Sequence, residues 1–573
     1  MESMILRGNA VSPGVALGPV YLYKTVSEKI KKEHCQAGDE AAQQERFLTA
    51  LVQVKDELDA LIAGCADKEH SGIFAAHREI LEDEEILEMV VEGIAKRGEM
   101  AEWAVQKVYE EFIALIAAAP DPLIAARAID FRDVCSRLLR VLSGGKGQNL
   151  SALPKPCVIV AKDLLPSDTA TLDRANVLGI ITEEGSSTSH TAIIANSYRI
   201  PAVVGVENCT TLLSGGITVG VDALSGEIFL QPEPATEAAL QEKGAAHLYR
   251  TAIADEYLNK PALMADGTAY EVGINIGCAC PSKTFEHCDF VGLFRTEFLY
   301  MESQELPDEE TQYRAYRQVL QNAAGRPVTL RTLDIGGDKT LSYLPLPEEQ
   351  NPFLGVRALR LCLSRPELLD TQLRAALRAA VHGPLGIMLP MVGSLEDIRA
   401  GRIALEAAKA ALKAAGIPYG EVKLGIMIEI PAIAVIADLA AAEADFASIG
   451  TNDLCQYLCA ADRMNPAMTP YYQSFSPAMV RTLDMVIQAF HQAGKPVSVC
   501  GEMAGDPRGA VLLCGLGLRK LSMDPSKIAG VKAALAGISA REARRIADEA
   551  KNVPAQAEVL ALLESALKSA AAN

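Results

Sequence analysis

The sequence predicts a multidomain α/β protein: an α/β domain interrupted by a helical bundle, then a C-terminal (β/α)8 barrel. Three observations predict it. The chain has 573 residues, room for about four domains of roughly 150 residues, or fewer if one is a large barrel. Between residues 39 and 142 apolar side chains recur at helical spacing, as in Phe47, Leu51, Val54, Leu58 and Leu61. Beyond residue 262 short apolar strands alternate with helical segments, the pattern a (β/α)8 barrel requires.

Residues 4–23 read as two short strands around AVSPGVALGP. Amphipathic helices follow in DEAAQQERFLTALVQVKDELDALI, FAAHREILEDEEILEMVVEGIAKR, EMAEWAVQKVYEEFIALIAAA and PLIAARAIDFRDVCSRLLRVL, and short loops between them imply a bundle. From Pro156 strands appear in CVIVAKDL, VLGIIT, PAVVG, ITVGVD and EIFLQP. One α/β domain is therefore expected from residues 1–25 and 146–232, with the bundle at 26–145 inserted into it. Residues 233–261 read as a polar connecting helix, and residues 262–573 as the barrel. Its strands are expected in YEVGINI, DFVGLFR, PVTLRTLD, GIMLPMV, KLGIMIEI, FASIGTN, PVSVCGE and RKLSMD. Periodicity does not show closure, so an open doubly wound sheet stands as the alternative.

Composition narrows the function. Hydrophobic residues at 49% and charged ones at 22% rule out wholesale disorder. A net charge of −19 argues against nucleic acid as a partner. No apolar run reaches a membrane span, and MESMILRGNAVSPG lacks the pattern of a signal peptide, so no membrane insertion is expected and the cytoplasm is the default. The 13 cysteines are odd in number and scattered, with no CxxC pair, so neither a disulfide framework nor a structural zinc site is expected.

Chemistry in a barrel sits at the C-terminal ends of the strands. Five of the eight candidates end in polar groups: Arg295 with Glu297, Arg331 with Asp334 and IGGDK, Glu429, Asn452-Asp453, and Cys500-Gly501-Glu502. Arg295, Arg331, Lys339 and Arg463 form a cationic set suited to phosphate and carboxylate. Glu429 and Asp453 are hard oxygen ligands suited to Mg²⁺, or else counter-charges that neutralise the arginines. Gly336-Gly337 lets backbone approach an anion, or simply turns the chain. Phosphorylated small molecule plus Mg²⁺ is the better reading of the set.

A second landmark is EEGSSTSHTAIIANSYRIPAVVG, where Thr188 or Ser189 would cap a short helix with His190 in its first turn. An imidazole there can act as a nucleophile, and the helix N-terminus favours a phosphoryl group placed on it. The acidic run Glu82, Asp83, Glu84, Glu85 and Glu88 either steers a basic partner or is a solvated face.

The ordered segments AAHREILEDEEIL, TSHTAIIA, GLFRTEFLYM, RTLDIGGDK, NPFLGVRALR, IMIEIPAIA, SIGTNDLCQY, ADRMNP and CGEMAGDP resemble Enzyme I of the bacterial sugar phosphotransferase system. The resemblance spans essentially the whole chain. It implies a swivelling phosphohistidine α/β domain, an inserted bundle that binds the carrier HPr, and a barrel that binds phosphoenolpyruvate. On that resemblance His190 would be phosphorylated, Arg295, Arg331 and Lys339 would hold the substrate phosphate, and Asn452 and Arg463 would position phosphate and carboxylate. Glu429 and Asp453 would bind Mg²⁺, Cys500 would protonate the enolate carbon as pyruvate leaves, and Arg357 looks like a further pocket arginine. A homodimer through the barrel is also implied.

Departures cluster near the histidine. Gly185-Ser186-Ser187 stands where the family has Gly-Gly and a basic residue, Asn196 replaces a common Arg, and Leu165 replaces a Thr before Pro. They predict drift in partner specificity rather than in autophosphorylation. A pyruvate-phosphate dikinase or phosphoenolpyruvate synthase shares the histidine and barrel segments, but there is no room here for its ATP-grasp domain. A non-catalytic regulatory relative is disfavoured by the intact Arg295, Arg331, Glu429, Asp453 and Cys500.

Overall fold

Strict alternation of side chains in Val15–Leu22 places every second residue inside a sheet, and that strand, β3, is its centre. The computed structural model describes residues 4–23, 30–36, 38–64, 68–117, 127–144, 150, 153–170, 172–185, 189–277, 280–301, 303–337, 339, 341, 343–347 and 349–572. They form two compact units, Met1–Arg250 and Thr251–Asn573, the boundary falling within the helix Pro234–Tyr257.

The first unit contains an eight-stranded mixed sheet. With β1 at Ile5–Arg7, β2 at Asn9–Ser12, β4 at Cys157–Ala161, β5 at Val177–Thr182, β6 at Ala202–Val204, β7 at Thr218–Asp222 and β8 at Glu227–Leu230, the order is β1-β8-β7-β3-β4-β5-β6-β2. All five strands expected after Pro156 are present. The opening differs from the expectation of two strands: there are three, because the chain leaves β8 at Gly8 and crosses to the other edge beside β6. Alternation cannot say which neighbour a strand will pair with. Fully buried β4 feeds two cores, Val158 and Val160 on one face and Cys157, Ile159 and Ala161 on the other.

Between β3 and β4 the chain makes a bundle with α1 at Glu40–Gly64, α2 at Lys68–Leu81, α3 at Glu84–Arg97, α4 at Ala101–Ala117 and α5 at Ala128–Leu142. Phe47, Val54 and Leu58 lie at its core, with Leu51 and Leu61 packed at the edge. The acidic run breaks α2 from α3: the Asp83 carboxylate caps α3 by accepting from Ile86 N at 3.1 Å, while Glu82 pairs with Lys55. Glu84, Glu85 and Glu88 remain exposed.

The second unit is a closed parallel barrel, which removes the open-sheet alternative. Its strands are β9 (Glu271–Ile276), β10 (Phe290–Arg295), β11 (Val328–Arg331), β12 (Leu385–Leu389), β13 (Val422–Ile428), β14 (Ala447–Ile449), β15 (Val497–Val499) and β16 (Lys520–Met523). Each coincides with an expected segment, and β16 closes on β9 with Leu521 opposite Val272. Leu424, Ile426 and Ile428 of β13 face the helices, whereas Met427 points inward to pack with Leu293, Met388 and Cys500. Several strands are shorter than the segments suggested. β14 ends at Ile449, so Asn452 and Asp453 belong to the first turn of helix Thr451–Cys459 rather than to a strand end.

Candidate functional site

The barrel mouth gathers the charged residues that the sequence distributes over two hundred positions. Arg331 closes β11 with 6% of its surface exposed. Its guanidinium pairs with Glu297 and stands 3.0 Å from Asp334 Oδ2. Lys339 Nζ lies 2.8 Å from Glu297 Oε1 and 3.5 Å from Asp334 Oδ2. Arg357, 1% exposed, donates from Nη2 to both Asp334 oxygens at 2.9 and 3.1 Å, and from Nη1 to the Tyr457 hydroxyl at 3.3 Å. It also stands 3.5 Å from Asp453 Oδ2, and Arg463 Nη1 lies 3.2 Å from Asp453 Oδ1. Arg295, the half-buried last residue of β10, acts on the Cys500 thiol through its charge and has no hydrogen bond or ion pair to another described residue.

Burial opposes the charge on Glu297, but Arg331 and Lys339 outweigh it and hold the carboxyl below its ordinary range. Asp334 is likewise buried yet held far down by Arg331, Lys339 and Arg357. Glu429 is different. Burial, then Asp453 and Asp334, push its carboxyl up to about 8, and its one protein hydrogen bond among those described is Met391 N to Oε1 at 2.6 Å. Asp453 Oδ1 is buried and, though near Arg463, accepts no hydrogen bond. Two all-oxygen side chains in this state, beside guanidinium groups, are the donor set a divalent cation takes when substrate supplies further oxygens. The residues fit such an ion.

Cys500 follows β15 with 3% exposure, and burial pushes its thiol up to about 11, so it carries its proton at neutral pH. Its carbonyl accepts from Asn275 Nδ2 at 2.9 Å, and Asn275 Oδ1 accepts from Ser522 Oγ at 2.7 Å. Gly501 is needed for close approach: a Cβ there would come within 2.6 Å of Thr451 N. Asn452 Oδ1 accepts from Glu502 N at 2.9 Å, tying the segment after β14 to that after β15. Gly336 and Gly337, at φ 109° and 69°, make a tight turn in which Gly336 N donates to Lys339 O at 3.0 Å. That amide is spent on the turn, which serves to place Lys339.

Sequence reasoning noticed Glu297 and Asp334 as strand-end groups without recognising them as the counter-charges of the site. It missed Gln372, Tyr457 and Asn275. Gln372 is buried in helix Pro366–Ala379, accepts from Leu333 N at 2.8 Å and so holds the segment after β11. Its signal was available: a lone amide on the apolar stripe of Leu368, Leu369, Leu373 and Ala376.

In the first unit, His190 opens the helix His190–Ser197, and Ser189 is its N-cap, accepting from Ala192 N at 3.3 Å. Ser186, Ser187, Thr188 and the His190 side chain lie outside the described residues. Thr191 Oγ1 lies 3.3 Å from Asp163 Oδ1, fixing the helix to the segment after β4. A cavity of about 770 Å³ runs between α4, α5 and that segment, lined among others by Tyr23, Arg132, Lys162, Asp163, Leu165 and Glu184. Leu165, the departure from Thr, therefore presents an apolar wall there, while Asn196 is exposed.

Three family models match the chain: the N-terminal domain of PEP-utilising enzymes at residues 7–127, their mobile domain at 153–226, and their PEP-binding domain at 252–540. The chain is 40% identical over 565 residues to a phosphoenolpyruvate-protein phosphotransferase of Bacillus sp. (strain S), covering 98% of this chain and 97% of that one. It is 39% identical over 575 residues to one from Bacillus subtilis (strain 168), covering 98% and 100%. A solution structure of an Enzyme I (nEIt) protein is 36% identical, covers 42% of this chain and 99% of its own, and superposes with a TM-score of 0.37.

Proposed function

The chain belongs to the phosphoenolpyruvate–protein phosphotransferase family, and from that premise we propose that it transfers phosphorus from phosphoenolpyruvate to His190 and on to a histidine of HPr. The observation that carries this reading is the convergence at one barrel mouth of Arg295, Arg331, Lys339, Arg357 and Arg463 with Glu429, Asp453 and Cys500.

Among the described residues the guanidinium and ammonium groups of Arg295, Arg331, Lys339, Arg357 and Arg463 are gathered at this mouth, a set that suits a phosphorylated carboxylic acid. Arg295 has no hydrogen-bond or ion-pair partner among the described residues, which leaves its guanidinium to meet an anion. Arg331 and Lys339 are pre-positioned by Glu297 and Asp334, so they hold the substrate phosphate without reorganising. Asn452 and Arg463 orient the phosphate and carboxylate, with Arg357 alongside. Glu429 and Asp453 would hold Mg²⁺, which would supply charge neutralisation for the anionic substrate.

Attack by the His190 ring nitrogen on phosphorus forms the N–P bond and breaks the bond to the enol oxygen, whose electron pair flows into the enolate. The Cys500 thiol then gives its proton to the methylene carbon, leaving pyruvate and a thiolate that solvent reprotonates. A thiol pushed up to about 11 is a proton donor rather than a nucleophile at pH 7. In the second half, the HPr imidazole takes the phosphoryl group at the bundle. Residues 1–25 and 146–232 serve as the phosphohistidine domain, 26–145 as the HPr-binding bundle and 233–261 as the linker, with 262–573 as a barrel that pairs two copies in the cytoplasm. Among the described residues no helix is long and apolar enough to cross a membrane.

The test is incubation with phosphoenolpyruvate labelled in phosphorus, with and without Mg²⁺, and mapping of acid-labile phosphate. Label is expected on His190, absent in His190→Ala, and slowed by about 100-fold or more in Cys500→Ala, the usual weight of a general acid. Label on any other residue would refute the assignment.

A further inference from the structure

Helix Thr451–Cys459 carries Asn452 and Asp453 in its first turn and ends in a pair of thiols. Cys455 Sγ and Cys459 Sγ stand 3.9 Å apart, one helical turn from each other on the same face. Cys455 is buried, whereas Cys459 is partly exposed. An i,i+4 helical pair sets its Cα atoms about 6.2 Å apart, inside the span of about 4.4–6.8 Å that disulfides bridge, but its Cβ atoms stand about 5–6 Å apart and must close to about 4.5 Å or less, and the sulfurs to about 2.05 Å. Backbone must move to allow that, and a helix yields most easily at its end. Cys459 is the last helical residue, and Ala460 beyond it already holds a left-handed φ of 49°.

What this last turn supports is specific. Gln456 lies between the two cysteines, and its carbonyl accepts from Ala461 N at 3.0 Å. Its side-chain Oε1 accepts from Arg463 N at 3.1 Å, and the Arg463 guanidinium reaches back to Asp453. Gln456 is the peg that holds Arg463 in place.

We propose that Cys455 and Cys459 form a reversible disulfide that tightens this last turn, displaces Arg463 and weakens phosphoenolpyruvate binding, a redox-modification site built into the substrate pocket. It rests on the assignment of Arg463 to the substrate. The oxidant is a hydroperoxide. With hydrogen peroxide, the Cys459 sulfur attacks a peroxide oxygen, the O–O bond breaks to leave a sulfenic acid, and the departing hydroxide takes the proton of the Cys459 thiol as one water. Cys455 then attacks that sulfur, and the hydroxyl leaves with the Cys455 proton as a second water. Two S–H bonds and one O–O bond are lost, one S–S bond and two O–H bonds are gained, and two electrons pass from sulfur to oxygen. A dithiol reverses the step.

The experiment uses the full chain in a Cys500→Ala background, so that the pocket thiol does not respond. Peroxide treatment, alkylation of remaining thiols and peptide mass mapping read the bridge, and binding of phosphoenolpyruvate with Mg²⁺ reads its effect. The peptide containing Cys455 and Cys459 is expected to lose the mass of two hydrogens and resist alkylation. Affinity should fall roughly tenfold, the worth of one hydrogen bond to a charged group, and dithiothreitol should restore it. Cys459→Ala and Cys459→Ser should keep unoxidised affinity and show no peroxide response. Free, alkylatable thiols at both positions after peroxide would overturn the redox site, as would a bridge that leaves affinity unchanged in a protein where Arg463→Ala weakens it. If Arg463→Ala itself has no effect on affinity, the substrate assignment falls and this proposal with it.

Discussion

A guanidinium as buried as that of Arg357 persists only where its charge is met at hydrogen-bond distance, and Asp334 meets it with both oxygens. The same carboxylate also serves Arg331 and Lys339, so one aspartate sets the geometry of three cations. Asp168 in the first unit shows the opposite balance. Burial and the nearby Asp133 push its carboxyl up to about 6, against the help of Tyr23, Leu165 N and Arg137. The unfolded chain releases this proton near pH 3.8 and the folded chain only near 6, so stability contributed below pH 3.8 is lost as pH rises through that window. Asp168→Asn cannot ionise, and its amide can still accept from Leu165 N while donating to the Tyr23 oxygen. Urea unfolding should find it equal to the parent near pH 3 and about 2–3 kcal/mol more stable at pH 7.5. A stability difference that does not change with pH would rule the explanation out.

At the scale of elements, the eight-residue helix opening at His190 is too short to stand on propensity, and its N-cap Ser189 satisfies one of its first amides. Ser189→Ala is expected to cost about 1 kcal/mol, with Ser189→Thr recovering most of it. Labelling of His190 by phosphoenolpyruvate should slow in the alanine variant while substrate affinity at the barrel stays unchanged. A loss of affinity instead would mean that the cap acts beyond its own helix.

For the whole molecule, each unit has its own core: the bundle and sheet faces bury Val54, Val158 and Ile159, the barrel buries Ile426, Met427 and its encircling helices. Chains cut between Arg250 and Thr251 are expected to give two pieces that each unfold in a single cooperative thermal transition. Neither piece alone should acquire label from phosphoenolpyruvate, because one lacks the substrate pocket and the other lacks His190. A first piece that fails to fold would show that its own cores do not suffice to hold it.

Much of this was legible one residue at a time. Local alternation located all eight barrel strands, and helical spacing located the bundle core around Phe47, Val54 and Leu58, because period depends only on neighbours in the chain. The same locality explains the Ser189 cap and the strand-end placement of Arg331 and Glu429. What periodicity leaves open is pairing between distant residues. The closure of β16 on β9 joins positions some 250 residues apart, as Lys520 to Glu271 illustrates, and no local signal encodes it. Nor does the sequence say that Asp453 will meet Arg357, or that burial together with Asp453 and Asp334 will outweigh Arg331 and Arg357 at Glu429 and raise its carboxyl to about 8. Residue type and spacing determined which groups the chain carries and which ends of strands present them. Only the tertiary structure decided which charge neutralises which, because electrostatic energy depends on distance and burial, and both are properties of the folded barrel.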